Sequence, residues 1–143
     1  MPQPDDLLVE RTTDLDIDVN QLWTLISTQD GWRDWLVDDA DVTIAAGSGG
    51  TVVDDQVERS VRIGTITDGH RIEFSWCEVG EASTTSYVQL EVVELPAGRS
   101  RLNITERFPS STMTASMSAA VTTTWDVRLV SLWLLALPFH VMA

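Results

Sequence analysis

"SYVQLEVVELPAGRSRLNITERF", Ser86 to Phe108, holds two runs of alternating apolar and polar residues on either side of Pro96-Ala97-Gly98. Such a pattern is that of a β-hairpin with a short loop. A three-residue loop pairs Val92 with Leu102, Leu90 with Ile104 and Val88 with Glu106. A four-residue loop would set Val92 against Asn103 and break the alternation. The three-residue register gathers the large apolar side chains on one face and sets Tyr87 opposite Arg107 on the other, within reach of a cation–π contact. It also carries a carboxylate, Glu106, to the inside.

Toward the amino terminus, "SVRIGTITDGHRIEFSWCEV" (Ser60 to Val79) contains Asp68-Gly69, the strongest short hairpin signal. With those two residues as the turn, Thr65 faces Ile72, Ile63 faces Phe74 and Val61 faces Trp76. Arg62, Gly64, Arg71, Glu73, Ser75 and Cys77 then form the opposite, solvated face, where Arg62 can reach Glu73 diagonally. Before this, Val42 and Ile44 alternate with polar neighbours, "GSGG" at Gly47 to Gly50 turns the chain, and Thr51 to Asp54 starts a return strand. Neither a Lys-Ser/Thr pair nor a helical pattern follows those glycines, so they make a hairpin turn rather than a phosphate loop.

The first strand spans Leu7 to Thr13. Asp18 then caps a helix, with Gln21 three residues on as in a capping box, and Val19, Leu22, Trp23 and Ile26 follow helical spacing. "DGWRDWLVD" offers Asp30 as a second cap and places Trp32, Trp35 and Leu36 on one face of a second short helix. The two indoles read as core wedges, with a stacking platform for a ligand as the functional alternative. At the other end, the uncharged Ser/Thr-rich stretch of residues 109 to 124 reads as a crossing loop. A helix starts near Thr123-Thr124 and carries Trp125, Leu129, Leu132, Trp133 and Ala136 on one face until Pro138 ends it. Being apolar over most of its circumference, this helix is expected to be enclosed.

The chain has 143 residues, enough for one domain with a real core, and its 22 acidic against 9 basic residues give a formal charge of −13. That field repels nucleic acid and anionic lipid. All nine basic residues are Arg, which fits GC-rich coding or a saline setting that screens the acidity. A single Cys forms no internal disulfide, and "MPQPDDLLVE" carries acids where a signal peptide needs positive charge, so the chain reads as cytoplasmic. The segment "LVSLWLLALPFHVMA" is interrupted by Ser131, Pro138 and His140 and is too short for the ~20 apolar residues that span a bilayer.

The order of strand, two short helices, about six antiparallel strands and one long final helix resembles the helix-grip fold of the START-like (SRPBCC) superfamily. In that α+β fold a curved antiparallel sheet wraps the carboxy-terminal helix. In detail the chain is similar to the subfamily of the carboxy-terminal domain of the heat-shock-protein ATPase activator. The matching residues are Trp23, Trp32-Trp35-Leu36, Arg62-Gly64-Ile66, Arg71-Ile72-Phe74-Trp76, Ser86-Val88 and Thr105-Glu106, followed by Trp125. The likeness covers residues 6 to 137 of a single domain. The apolar end "PFHVMA" departs from the subfamily's polar one and suggests a homodimer contact.

The resemblance implies a cavity between sheet and last helix, and three functions for it. The leading one is binding of a small hydrophobic, lipid-like or polyketide-like molecule without catalysis, with Trp32, Trp35, Phe74, Trp76, Val88, Leu90, Leu102, Ile104, Leu129 and Trp133 as the apolar wall. Glu106 would orient the ligand. A carboxylate there is costly to keep charged unless a base or several hydrogen bonds hold it. The second is a cyclase or dehydratase using the same cavity, which requires another polar group beside Glu106; the alternation supplies none. The third is a chaperone-interaction module working through the charged outer face. Cys77 has no neighbouring base, and His70 and His140 lack companions at ligand spacing, so neither a thiol nucleophile nor a metal centre is expected. No serine-hydrolase elbow occurs, and no cofactor is implied.

Overall fold

Asp18 accepts a hydrogen bond from the Gln21 backbone while the Gln21 side chain accepts from the Asp18 backbone, the capping box that its spacing foretells. In this computed structural model, which describes residues 7–109 and 115–136, the capped helix α1 (Val19–Ser27) follows strand β1 (Leu7–Leu15). Helix α2 (Gln29–Trp35) begins directly after it. Thr28, not Asp30, caps α2, through its hydroxyl to the Gly31 amide; Asp30 falls in the first turn instead. Gly31 permits the tight junction, because a Cβ there would lie 2.3 Å from the Leu25 carbonyl oxygen.

Six further strands complete one antiparallel sheet: β2 (Asp39–Val42), β3 (Gly49–Asp54), β4 (Val57–Thr67), β5 (Arg71–Glu78), β6 (Glu81–Leu95) and β7 (Arg99–Phe108). Their order across the sheet is β1-β7-β6-β5-β4-β3-β2, so the chain folds as consecutive hairpins and β1 closes the far edge against β7. Helix α3 (Ala115–Leu135) packs on β1 and α2.

The β6–β7 hairpin has the expected register: Leu95 pairs with Arg99, Val92 with Leu102, Leu90 with Ile104 and Val88 with Glu106. Tyr87 faces Arg107, whose guanidinium carbon lies 4.5 Å from the phenol centroid. In the β4–β5 hairpin, Ile63 opposes Phe74 and Val61 opposes Trp76 as expected, but Ile66, not Thr65, opposes Ile72. The turn is longer than Asp68-Gly69 alone, with the His70 amide bonded to the Thr67 carbonyl, and an irregularity between Ile63 and Ile66 restores the alternation. On the outer face Glu73 pairs with Arg71 at 3.4 Å rather than with Arg62.

The inner face of the sheet, α1, α2 and one face of α3 share the core. Helix α3 departs from expectation twice. The Ser/Thr-rich stretch is already helical from Ala115, eight residues before the expected start. It is also not enclosed: Trp125, Leu132 and Ala136 are buried, whereas Val127, Val130, Trp133, Leu134 and Leu135 are exposed. The sheet and α2 cover one side of this helix, and its apolar residues run all the way round. Pro138 and the "PFHVMA" end, with the dimer contact suggested for it, lie outside the described residues. Among the described residues no helix is long and apolar enough to cross a membrane.

Candidate functional site

Toward one end of the sheet the inner face turns from apolar to polar. On β4 and β5 the inward pairs Ile63/Phe74 and Val61/Trp76 are followed by Arg59 opposite Glu78. On β6 and β7 the inward residues Leu90 and Ile104 give way to Val88 opposite Glu106, then to Ser86. Strand β6 carries extra residues between its pairings of Ser86 with Trp76 and Glu81 with Glu78, a bulge that bends it away from β5. Thr84, within that bulge, accepts a hydrogen bond from the Glu78 amide at 2.8 Å and donates to the Glu81 carbonyl at 2.7 Å.

Glu106 is only 3% exposed, and both of its carboxyl oxygens are engaged. Trp125 Nε1 donates to Oε1 at 2.8 Å; Trp76 Nε1 and Ser86 Oγ donate to Oε2 at 2.9 and 2.5 Å. An indole N–H can only donate, so the two tryptophans fit a carboxylate that accepts on both oxygens. The desolvation cost of the buried acid is met by three converging donors from β5, β6 and α3.

One turn along α3 from Trp125, Arg128 enters the same region. Its guanidinium carbon lies 4.5 Å from the Trp125 ring centroid and 5.1 Å from that of Trp76, and it forms an ion pair with Asp54 of β3. Burial pushes the Arg128 pKa below the usual arginine value, against the opposing pull of the Asp54 and Glu106 carboxylates. Arg59 stands over the Trp76 ring as well, at 4.8 Å. The Nε atoms of both arginines are buried and have no hydrogen-bond partner.

These side chains surround a cavity of about 380 Å³ between β5, β6, β7 and α3, with Trp76, Phe108 and Val121 among its apolar lining and Arg59, Arg128 and Glu106 among its polar lining. Of the residues singled out in the sequence, Trp76 and Glu106 line this cavity. Phe74, Val88, Leu90, Leu102 and Ile104 lie deeper, in the closed core. Trp32 and Trp35 are buried wedges whose indoles donate to the Ile26 and Leu25 carbonyls at 2.7 and 3.0 Å, and Trp32 tilts against Phe74. Leu129 packs partly buried against the core, and Trp133 is half-exposed on α3.

The expectation that Glu106 has no polar companion inside does not hold, because Ser86, Arg59 and Arg128 join it. The signal for each was present. Ser86 and Arg59 continue the alternation that puts Val88 and Val61 inside, and Arg128 sits one helical turn from Trp125. Arginine and serine at the end of an alternating run read as the solvated fringe of a strand, and only the packing of α3 across that fringe encloses them. Among the described residues no group of three or more His, Cys, Asp or Glu side chains is placed to hold a metal ion.

Neither a protein-family model nor a curated protein matches the chain. Solved structures do. CalU16 from Micromonospora echinospora shares 16% identity over 99% of this chain and 85% of its own, with a TM-score of 0.70. The Aha1 dimer structure from Colwellia psychrerythraea shares 14% identity over 89% of this chain and 93% of its own, again with a TM-score of 0.70. DynU16, a protein in the dynemicin biosynthetic locus, shares 16% identity over 87% of this chain with a TM-score of 0.73; the chain spans 45% of DynU16's length. At such identities the likeness is one of architecture, and with the strand order and helix placement above it establishes that the chain has the helix-grip fold.

Proposed function

We propose that the protein binds a small, largely apolar molecule in the cavity between the polar end of the sheet and α3, and does so without transforming it. The single observation that carries this reading is the cavity itself: about 380 Å³, walled by Trp76, Phe108 and Val121, with a few polar groups converging on it. Binding sites for small molecules have this composition, a mostly apolar surface with a small number of fixed polar groups. Glu106 is poorly placed for catalysis. A general base needs lone pairs that can reach a substrate proton, and three of the roughly four acceptor sites of Glu106 already take Trp76, Ser86 and Trp125, which leaves little of the group for that role. Its work in this reading is to hold the cavity wall together.

The test is native mass spectrometry of the purified protein, followed by organic extraction of any adduct. A stoichiometric adduct of small-molecule mass that is lost in the Thr124→Trp variant is the expected result, since Thr124 lines the cavity and a Trp there would fill it. A bare protein that also takes up no apolar probe would overturn the proposal.

A further inference from the structure

Arg59 has bonding capacity that the fold leaves unused. It points inward from β4, is partly buried, and stacks on Trp76, yet it forms no ion pair or hydrogen bond among the described residues. The carboxylates around it are otherwise occupied. Glu106 already accepts from three donors, and Asp54 is held by Arg128. Glu78, directly opposite Arg59 in the sheet and also on the cavity, makes no ion pair with it. Arg128 adds a second buried guanidinium, only 6% exposed, whose Nε likewise has no partner.

Leaving a buried charged donor unmade is expensive, and guanidinium groups stacked on indoles are held in fixed orientation for planar, bidentate recognition of oxyanions. We infer that the ligand of this cavity is an amphipathic anion: an apolar, ring-sized body against Trp76, Phe108 and Val121, and an oxyanion group received by the terminal nitrogens of Arg59, with the positive charge of Arg128 beside it. This rests on the cavity being a binding site and adds the charge and orientation of what it binds. Aromatic or aliphatic carboxylates, sulfonates and phosphate monoesters share the required chemistry. The site would select them against the field of a chain whose formal charge is −13, which disfavours adventitious anion binding elsewhere on the surface.

Two fluorescent probes with one scaffold separate the possibilities: 8-anilinonaphthalene-1-sulfonate and its uncharged analogue N-phenyl-1-naphthylamine. Titrated into the wild-type protein at low salt, the sulfonate should bind at least about tenfold more tightly than the neutral probe, as a charge-assisted contact requires. Added sodium chloride should erode that preference while leaving the neutral probe unaffected. Arg59→Met should abolish the preference by weakening the sulfonate far more than the neutral probe, and Thr124→Trp should weaken both probes. The salt titration uses only the wild-type chain, so the test stands even if a variant folds poorly. Equal affinity for the two probes overturns the anionic ligand and leaves the cavity reading intact, and a preference that survives Arg59→Met overturns Arg59 as the group that receives it. Failure of both probes to bind overturns the cavity reading itself.

Discussion

Trp125 Nε1 of α3 and Glu106 Oε1 of β7 meet at 2.8 Å inside the protein, and this bond fastens the last helix to the sheet. The same carboxylate takes Trp76 and Ser86 on its other oxygen, so one side chain joins three elements. Glu106→Gln keeps the shape but turns one acceptor oxygen into a donor, which must then face an indole N–H or the Ser86 hydroxyl. The variant should lose about 1–3 kcal/mol, the usual cost of a buried polar group left without a partner. Urea unfolding at pH 7 measures it. An unchanged midpoint would contradict the three-donor arrangement around Glu106.

The coupling is measurable apart from the total. Trp125→Phe removes the N–H and keeps most of the ring that stacks on Arg128. In a double-mutant cycle with Glu106→Gln, two groups that share a bond should show an interaction energy of about 0.5–3 kcal/mol, and strict additivity would contradict the contact.

Most of the architecture is legible in the sequence because the two decisive hairpins obey local rules. The Pro96-Ala97-Gly98 loop and the alternation around it leave one consistent register, and a carboxylate inside follows from that register alone. The site was harder to read because it is assembled from strand ends and a helix that approaches from far along the chain. Alternation shows that Arg59 and Ser86 point inward, but whether that side is water or protein depends on α3. The helical start itself is obscured by the Ser/Thr-rich composition of the residues after 109, whose side chains favour competing backbone conformations, although the chain is helical from Ala115. The Asp68-Gly69 dipeptide marks the reversal, but the loop takes in His70 as well, and an irregularity between Ile63 and Ile66, ahead of the turn, brings the inward residues back into alternation.

Gly31 offers a test of how α1 and α2 are locked. A methyl group there would meet Leu25 backbone, which cannot move without disturbing the Leu25 and Ile26 carbonyls that hold the Trp35 and Trp32 indoles. Gly31→Ala should therefore cost about 2 kcal/mol or more, unlike an ordinary helix position where Ala is preferred. Thermal or urea unfolding would show it, and a stabilised variant would rule out the tight junction.

Ala97 runs the opposite way. It holds φ 66°, ψ 30° in the β6–β7 loop, a left-handed conformation that disfavours a residue with a Cβ. Ala97→Gly should raise stability by about 0.5–1 kcal/mol, since relief of the strain outweighs the added freedom of glycine in the unfolded chain. A lower unfolding midpoint in the variant would contradict this.

At the sheet edge, Arg101 donates to both oxygens of Asp14, at 2.7 and 3.2 Å, and these hydrogen bonds hold the Asp14 carboxyl below its ordinary value of 3.8. A folded-state pKa that is depressed adds stability that is present above the unfolded value and is lost as pH falls through the folded one. The stability difference between wild type and Asp14→Asn should therefore be constant from neutral pH down to about 5 and shrink below pH 3.8. The pair is solvent-exposed, so the effect is small, and added salt should reduce it further. A difference that grows on acidification would have the wrong sign for this linkage.

The Arg128–Asp54 pair separates the cost of a lost partner from the cost of a lost charge. The arginine side chain is 7% exposed and the aspartate 15%. Asp54→Asn leaves the arginine charge between Trp76 and Trp125 without its carboxylate, with Arg59 as a like charge nearby. That should be strongly destabilising, about 3–5 kcal/mol, the range seen when one member of a buried pair is removed. Arg128→Met also removes a partner, but Asp54 is closer to water, and the substitution takes away both the buried charge and the unpartnered Nε while the side chain still fills the slot between the indoles. Its cost should be clearly smaller. Asp54→Asn with Arg128→Met should approach the single Arg128→Met in stability, because the second change removes the charge that the first leaves stranded. If Arg128→Met proves the more damaging of the two single changes, the ion pair contributes more to folding than its desolvation costs, and the arginine is a structural anchor rather than a group held in readiness for a ligand.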